Sequence, residues 1–134
     1  MNDADIRSLL REAKTIAVVG ASPKPWRDSN SIMQFLLSVG YTVFPVNPTY
    51  TEVLGHRCVP SLREIPEPVD IVDIFRRPDA VVPAVRDAIA VHAKTVWMQL
   101  GVVNAEAAKL ARDAGLSVIM DKCIAVEYRS LVRS

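Results

Sequence analysis

The sequence contains little cysteine, little net charge and no long apolar stretch, and each of these absences argues against a class of protein. Its two cysteines, Cys58 and Cys123, have no partners at metal-ligand spacing, which argues against a disulfide framework or a zinc site. A net charge of +1 gives no overall attraction to nucleic acid or an anionic membrane. No apolar stretch approaches the roughly 20 residues that cross a bilayer. The beginning, MNDADIRSLL, lacks the regions of a signal peptide. We therefore expect a cytoplasmic protein that binds neither nucleic acid nor membrane.

What the sequence does contain is a regular alternation of strand and helix patterns. Its 134 residues suit one domain, and no linker or repeat divides them, so residues 1–134 are predicted to form a single domain. Strands are predicted at residues 15–19, 41–46, 69–75, 95–99 and 116–120, with a short one near 57–59. Helices are predicted at residues 3–14, from 31 to 39, at 104–114 and at 124–131, and one more has Val81, Val85, Ala88 and Ile89 on one face.

This alternation predicts an α/β fold, a Rossmann-like, doubly wound parallel sheet of five to six strands with helices on both faces. The expected strand order is 3-2-1-4-5-6, in which the segment near Cys58 forms an edge strand. Ligands of such sheets lie beyond the carboxyl ends of the strands, where the winding direction reverses. That rule nominates two loops, residues 20–28 and 75–78.

The first nominated loop has the composition of a phosphate site. Gly20 permits a tight turn, Ser22 offers a hydroxyl, and Lys24 and Arg27 carry positive charge. The following helix points its positive end at the same place. Capping-box spacing favours a helix start at Ser31, while residues 28 or 29 are alternative starts. A plain strand-to-helix turn with solvated charges is the competing interpretation.

Two features argue against an ordinary dinucleotide site. Gly20 is followed by Ala21 and Ser22 with no second glycine nearby, so the G-x-G-x-x-G motif is absent. The second strand ends in Val46, Asn47 and Pro48, where an NAD site usually has a carboxylate for the ribose.

The second nominated loop contains adjacent arginines, Arg76 and Arg77. Two neighbouring guanidiniums repel each other unless an anion or carboxylates lie close. A ligand with several phosphates would explain the pair. The alternative is that both are solvated and one pairs with Asp79.

At these loops the sequence resembles the stand-alone coenzyme A-binding domain proteins, relatives of the amino-terminal domain of the succinyl-CoA synthetase α subunit. The resemblance spans nearly the whole chain. The matching stretches are VVGASPKPWRDS (18–29), GYTVFPVNP (40–48), LGHRCVPSL (54–62), VDIVDIFRRP (69–78), VWMQLGV (96–102) and AGLSVIMDKC (114–123).

The resemblance implies a Rossmann-like fold that binds CoA or an acyl-CoA. It places Gly20, Ala21 and Ser22 against the phosphates, Val46, Asn47 and Pro48 beside the nucleotide, and Phe75 and Arg76 at its adenine and phosphate end. Charge alone adds Lys24, Arg27 and Arg77 to these predicted binding residues. Phe75, Tyr50 and Trp26 are candidate apolar walls for the ligand.

The sequence shows no complete catalytic group. The synthetase's phosphorylated histidine lies in a second domain, and neither His56 nor His92 has the position of a counterpart. Cys123 would lie near the crevice, but no histidine is adjacent to activate it, and turn chemistry explains Gln99 as well as ligand contact does. We therefore expect a CoA-binding module that is not an enzyme; presentation of CoA to an unidentified protein partner, sensing of acyl-CoA and regulation are the roles left open. The alternatives are an NAD(P)-linked oxidoreductase, a Cys-dependent acyl-transfer enzyme, or a subunit of a CoA ligase.

Overall fold

Strands and helices alternate along the chain in the order the sequence predicts. The computed structural model describes residues 1–133. The strands are β1 (Thr15–Val19), β2 (Thr42–Val46), β3 (Glu52–Val53), β4 (His56–Arg57), β5 (Ile71–Ile74), β6 (Thr95–Met98) and β7 (Ser117–Ile119). The helices are α1 (Asp3–Glu12), α2 (Asp28–Ser38), α3 (Val81–Ala90), α4 (Ala105–Asp113) and α5 (Ile124–Leu131), with 3₁₀ turns at Leu62–Glu64 and Pro78–Ala80.

Five of the strands form one parallel sheet in the order β2-β1-β5-β6-β7. This is the predicted Rossmann-like α/β fold. The chain winds outward from β1 to β2, then crosses back to β5 on the other side of β1. The carboxyl ends of β1 and β5 therefore flank the point at which the winding reverses.

The predicted sixth strand near Cys58 is reduced to a single bridge between Val46 and Val59. The N–H of Val59 donates to the Pro45 carbonyl at 3.1 Å, and the N–H of Asn47 donates to the Val59 carbonyl at 2.9 Å. Pro60 follows at once and has no N–H with which to continue a ladder.

The residues just before that bridge form an antiparallel hairpin, β3 and β4, that the sequence analysis did not predict. Its two turn residues, Leu54 and Gly55, both have positive φ, 52° and 77°. A two-residue turn of this kind matches the twist of the strands it joins. Leucine at the first turn position is an unusual residue there, which is why the sequence pattern carries no signal for the hairpin.

Helices cover both faces of the sheet. The residues of β1 alternate, so that Ile16 and Val18 pack under α1, α2 and α5, whereas Ala17 faces α3 and α4. Because both faces are covered, the central strands β5 and β6 are buried along their whole length. Within the part of the chain described, no helix has the length and hydropathy needed to cross a membrane.

Most helix boundaries lie within two residues of the expected ones, but the start of α2 differs. The helix begins at Asp28, one of the alternatives left open, and Ser31 lies inside it with its hydroxyl donating to the Asp28 carbonyl at 3.2 Å. The N-cap of α4 is Asn104, whose side-chain oxygen accepts the Ala107 N–H at 2.9 Å. Pro83 is the third residue of α3, where its missing N–H leaves no intrahelical hydrogen bond unmade.

One polar side chain in the sheet has no visible role in holding it together. Asp73 of β5 is fully buried between Val18 of β1 and Trp97 of β6. Neither carboxyl oxygen has a hydrogen-bond partner within residues 1–133. Burial raises the pKa of Asp73 well above its ordinary value, because a lone charge in an apolar layer is poorly solvated.

The protein should lose stability as the pH rises, and Asp73→Asn should remove that loss. The folded state holds the Asp73 proton more tightly than the unfolded chain does. The contribution of the protonated Asp73 to the free energy of unfolding is therefore fully present below the ordinary carboxyl pKa of about 4. It is lost as the pH rises toward and through the raised pKa of the folded state, at about 1.4 kcal/mol per pH unit. Denaturant unfolding between about pH 5 and pH 8 measures the slope.

Asp70→Asn is the matched control, with an effect of opposite sign. Partial burial acts to raise the pKa of Asp70, but the N–H groups of Lys14 and Thr15 and the ammonium of Lys94 outweigh it and lower the pKa. The contribution of Asp70 to the free energy of unfolding is therefore present at neutral pH and lost in acid. Asp70→Asn should be less stable than the parent at neutral pH, should keep the parent's slope between about pH 5 and pH 8, and should approach the parent's stability at low pH. Equal slopes for the parent and Asp73→Asn above pH 5 would contradict this account.

Candidate functional site: a cationic cleft at the sheet crossover

A cleft of about 710 Å³ lies beyond the carboxyl ends of β1, β5 and β6, where the winding of the sheet reverses. Eight of the eleven predicted site residues line it: Gly20, Ser22, Lys24, Arg27, Asn47, Phe75, Arg76 and Arg77. They come from three separate loops that follow β1, β2 and β5. The topology thus brings together residues up to 57 positions apart, from Gly20 to Arg77.

The other three predicted residues, Ala21, Val46 and Pro48, do not line this cleft. Ala21 is fully buried. Its N–H donates to the Val46 carbonyl at 3.3 Å, and its carbonyl accepts the Asn47 side-chain amide at 2.9 Å. Val46 and Pro48 face a neighbouring cavity of about 200 Å³ on the α3 side. Ala21 thus supports the loop through its hydrogen bonds, and Val46 and Pro48 border the adjoining cavity, which Gly20 and Arg76 also line.

Gly20 sets the shape of the first loop. Its φ is 87°, and its N–H donates to the Val46 carbonyl at 2.9 Å. A Cβ at this position would lie 2.2 Å from the carbonyl oxygen of Phe75 and 3.3 Å from the Cδ of Arg76. Only glycine allows the loops after β1 and β5 to approach this closely, and that approach places Arg76 beside the loop after β1.

The start of α2 faces the cleft with open N–H groups. Arg27 is the N-cap, but its side chain caps no N–H, so those of Asp28 and Ser29 have no acceptor within residues 1–133. The loop is held against the helix by Asn30, whose amide donates to the Ser22 carbonyl at 3.0 Å. These two free donors and the helix dipole favour an anion at this position.

The charges in the cleft are strongly unbalanced. Four cationic side chains line it, against one carboxylate, that of Asp28. Arg77 has an ion pair with Asp79 at 3.6 Å, but both side chains are largely exposed and the pair is weak. Lys24, Arg27 and Arg76 form no ion pair within the described chain. Three cations are therefore unneutralised around one opening.

The cleft extends beyond the predicted residues, toward β6 and the start of α5. The additional lining residues are Asp28, Ser29, Ile32, Tyr50, Gln99, Leu100, Val102, Cys123 and Val126. Tyr50 and Phe75 do line the cleft, as expected of apolar walls, but Trp26 is 74% exposed and lies outside it. Gln99 and Cys123 each follow a strand, and that position was the signal in the sequence for their place in the cleft.

A second cavity, of about 340 Å³, lies at the opposite edge of the sheet under α1. Asp5, Glu12 and Asp70 line it, with Lys94 as the one basic residue. Its excess of carboxylates makes it unsuited to a phosphate ligand. Among residues 1–133, no group of three or more His, Cys, Asp or Glu side chains has the arrangement of a metal site.

Comparison with known proteins agrees with this geometry. The profile of the CoA binding domain family matches residues 14–129. The chain belongs to the CoA-binding domain family. YneT of Bacillus subtilis (strain 168) is 41% identical to this CoA-binding domain over 125 residues, which cover 93% of each chain. A Pyrococcus horikoshii OT3 protein of known structure is 46% identical with a TM-score of 0.97, covering 98% of this chain and 93% of its own.

The CoA-binding domain also resembles part of a much larger enzyme. Acetate–CoA ligase [ADP-forming] I of Archaeoglobus fulgidus is 46% identical over 71 residues, which are 53% of this chain but only 10% of the ligase. The expected relationship to CoA-binding domains is confirmed. The match covers a small part of the ligase and leaves most of that enzyme without a counterpart here.

Replacing Gly20 by alanine should destabilise the protein by more than backbone strain alone. Gly115→Ala is the matched control, because Gly115 has a similar φ of 90° but no atom within 4 Å of the position that a Cβ would take. We expect the control to cost about 1 kcal/mol of unfolding free energy, and Gly20→Ala to cost roughly 2 kcal/mol more, since two backbone segments must separate. Denaturant unfolding measures both. Equal losses would show that the contact with Phe75 relaxes freely.

Proposed function

We propose that this chain is a single CoA-binding domain that holds coenzyme A or an acyl-CoA non-covalently in the cleft and performs no reaction by itself. One observation carries the proposal. Three unneutralised cations and the open start of α2 converge at the crossover of a sheet whose family is named for CoA binding. The cytoplasm, where CoA is abundant, remains the expected compartment.

The distribution of charge in the cleft suits the shape of CoA. The nucleotide half of CoA carries about four negative charges, whereas its pantetheine arm is neutral. Arg27 and Arg76 come from opposite sides of the crossover and can each grip a phosphate through two parallel hydrogen bonds. Tyr50 and Phe75 also line the cleft, both half-buried, and offer apolar surface to an adenine ring.

An NAD(P)-linked reaction is less well supported by the same site. Where a dinucleotide enzyme has a ribose-binding carboxylate, this chain has Asn47. That side chain is already committed, because its amide donates to the Ala21 carbonyl at 2.9 Å and its oxygen accepts the Thr49 N–H at 2.9 Å. It is a structural brace of the loop and has little capacity left for a ribose.

Acyl transfer through Cys123 lacks a base. The chain has two histidines, and neither belongs to the cleft lining. His56 lies on β4 beside a different cavity, and His92 lies just after α3. With no general base at the thiol, binding without turnover accounts best for the residues present.

A second candidate is a subunit that presents CoA to a separate catalytic chain. The 46% identity with one segment of the Archaeoglobus fulgidus ligase favours it. Affinity capture from the native cell extract, with and without CoA, tests the idea. Recovery of a chain resembling the rest of that ligase would support it, and recovery of CoA alone would leave the simple binding role.

CoA should stabilise the protein against heat, and dephospho-CoA should do so less. A ligand that binds only the folded state raises the melting temperature as its concentration exceeds Kd. Dephospho-CoA lacks the 3′-phosphate and so loses one charge-assisted contact, which is worth about tenfold in Kd. Thermal unfolding with each compound measures the difference. No shift at millimolar CoA would contradict the proposed function.

Replacing Arg27 or Arg76 by alanine should weaken CoA binding by about tenfold or more, because each substitution removes a phosphate-binding guanidinium. Arg112→Ala is the matched control, since Arg112 is an exposed arginine in the last turn of α4, at the other edge of the sheet. Titration calorimetry at fixed salt measures the three affinities. If all three variants bind as the parent does, the cationic cleft is not the phosphate site.

A further inference from the structure

The cleft has two halves of different character. The half formed by the loops that follow β1, β2 and β5 contains all four cations, Lys24, Arg27, Arg76 and Arg77; we call it the cationic half. The other half, formed by the loop after β6 and by the start of α5, contains no charged residue; we call it the neutral half. It is lined by Gln99, Leu100, Val102, Cys123 and Val126. If phosphates occupy the cationic half, a neutral arm that continues from them is directed toward β6 and α5.

A buried polar group in the neutral half is left open to such an arm. Gln99 is only 5% exposed, yet it lines the cleft. Its side-chain oxygen accepts the Ile124 N–H at 3.1 Å, but its amide nitrogen has no acceptor anywhere in residues 1–133. That nitrogen is not cut off from solvent but reaches the open cleft, where an amide carbonyl of a bound ligand would accept its hydrogen bond.

The cysteine of this half is held firmly beside Gln99. Hydrogen bonds tie the segment before α5 to the end of β6: the Lys122 N–H donates to the Met98 carbonyl at 3.4 Å, and the Trp97 indole donates to the Lys122 carbonyl at 2.8 Å. The Asp121 carboxylate accepts the Gly101 N–H at 2.7 Å. Cys123 is therefore fixed over β6, half-buried and facing the cleft.

The spacing between β1 and β6, to whose end the segment before Cys123 is hydrogen-bonded, is shorter than the ligand's arm. In the sheet order, β6 is two strands away from β1, which is about 10 Å at the usual strand spacing. A pantetheine arm is comparable with about four residues of extended chain and reaches roughly 14 Å. An arm of that length, anchored at the loop after β1, is long enough to reach past the end of β6, where the segment containing Cys123 is held.

We propose that Cys123 forms a reversible mixed disulfide with CoA, so that the chain can hold the cofactor covalently as well as by contact. This inference rests on the proposed function, because the cationic half must first hold the nucleotide. The oxidant is the symmetric disulfide of CoA. One half of that molecule occupies the cleft, and the other extends outward past Leu100 and Val126, which are exposed at its mouth.

The exchange balances without any further reagent. Cys123 gives up its proton, and its thiolate attacks the ligand sulfur that lies in the cleft. The sulfur–sulfur bond of the CoA disulfide breaks while the bond from Cys123 to the bound half forms. The other half leaves as a thiolate and takes up the proton. Reduction by an external thiol reverses the step and returns the free cysteine.

The other cysteine supplies a matched control. Cys58 is 6% exposed, and its thiol donates to the Asn47 carbonyl at 3.6 Å. Burial raises the pKa of the Cys58 thiol, which opposes formation of its thiolate. Cys58 does not line the cleft, so a disulfide bound in the cleft should not react with it.

The test compares two disulfides on the reduced, desalted protein. CoA disulfide and glutathione disulfide are added at equal concentrations, and intact mass spectrometry follows the adducts. We expect one CoA adduct per chain, formed at a rate that saturates with CoA disulfide and exceeds the glutathione rate by about tenfold or more, since binding pre-aligns the sulfurs. Peptide mapping should locate it at Cys123, and dithiothreitol should remove it.

Four further measurements make the result decisive. Cys123→Ser should give no adduct, whereas Cys58→Ser should react as the parent does. Desulfo-CoA, which cannot exchange, should slow the reaction of the parent by competition. CoA binding to the reduced parent is measured separately by titration calorimetry. Binding without a preferred adduct at Cys123 overturns this inference alone, and loss of binding itself overturns the proposed function together with it.

Discussion

The contact between Gly20 and the backbone of Phe75 is the constraint on which the rest of the cleft depends. The Phe75 carbonyl oxygen occupies the space in which any other residue at position 20 would have its Cβ. Because the two loops touch backbone to backbone, Arg76 is carried next to the loop after β1. Arg27 reaches the same opening from the start of α2. The absence of a side chain at Gly20 therefore allows Arg76 to lie at the same opening as Arg27.

Many polar groups of these loops are hydrogen-bonded to other groups of the same loops and are not free for a ligand. The N–H groups of Gly20 and Ala21 both donate to Val46, and the side chain of Asn47 bridges to Ala21 and Thr49. The groups left to receive an anion are the open N–H groups at the start of α2, the guanidiniums and the Lys24 ammonium. This differs from a glycine-rich dinucleotide loop, in which successive backbone amides approach the pyrophosphate. An internally braced loop with charged side chains around it is the arrangement observed here.

Much of the fold was predictable because its strands are buried on both faces. Continuous apolar runs such as 15–19 and 95–99 have few interpretations other than a covered parallel strand, and all five sheet strands lie where they were expected. The hairpin of β3 and β4 and the loss of an edge strand were not predictable. Both depend on local turn geometry at Leu54 and on where Pro60 interrupts pairing, and neither leaves a periodic pattern. The start of α2 was ambiguous because several polar residues in a row can each end a loop.

By itself, the sequence determined the class of fold, the family and the two loops that carry the charge, since these follow from hydrophobic period and from residues contiguous in the chain. Only the tertiary structure decided which loop residues face the cleft and which support it, as for Ala21 and Val46. It also showed that Gln99 and Cys123 close the far half of the site, and that Asp73 is buried without a partner among residues 1–133. Those properties depend on packing between segments distant in sequence, and no local pattern of residues encodes the burial of one side chain by another.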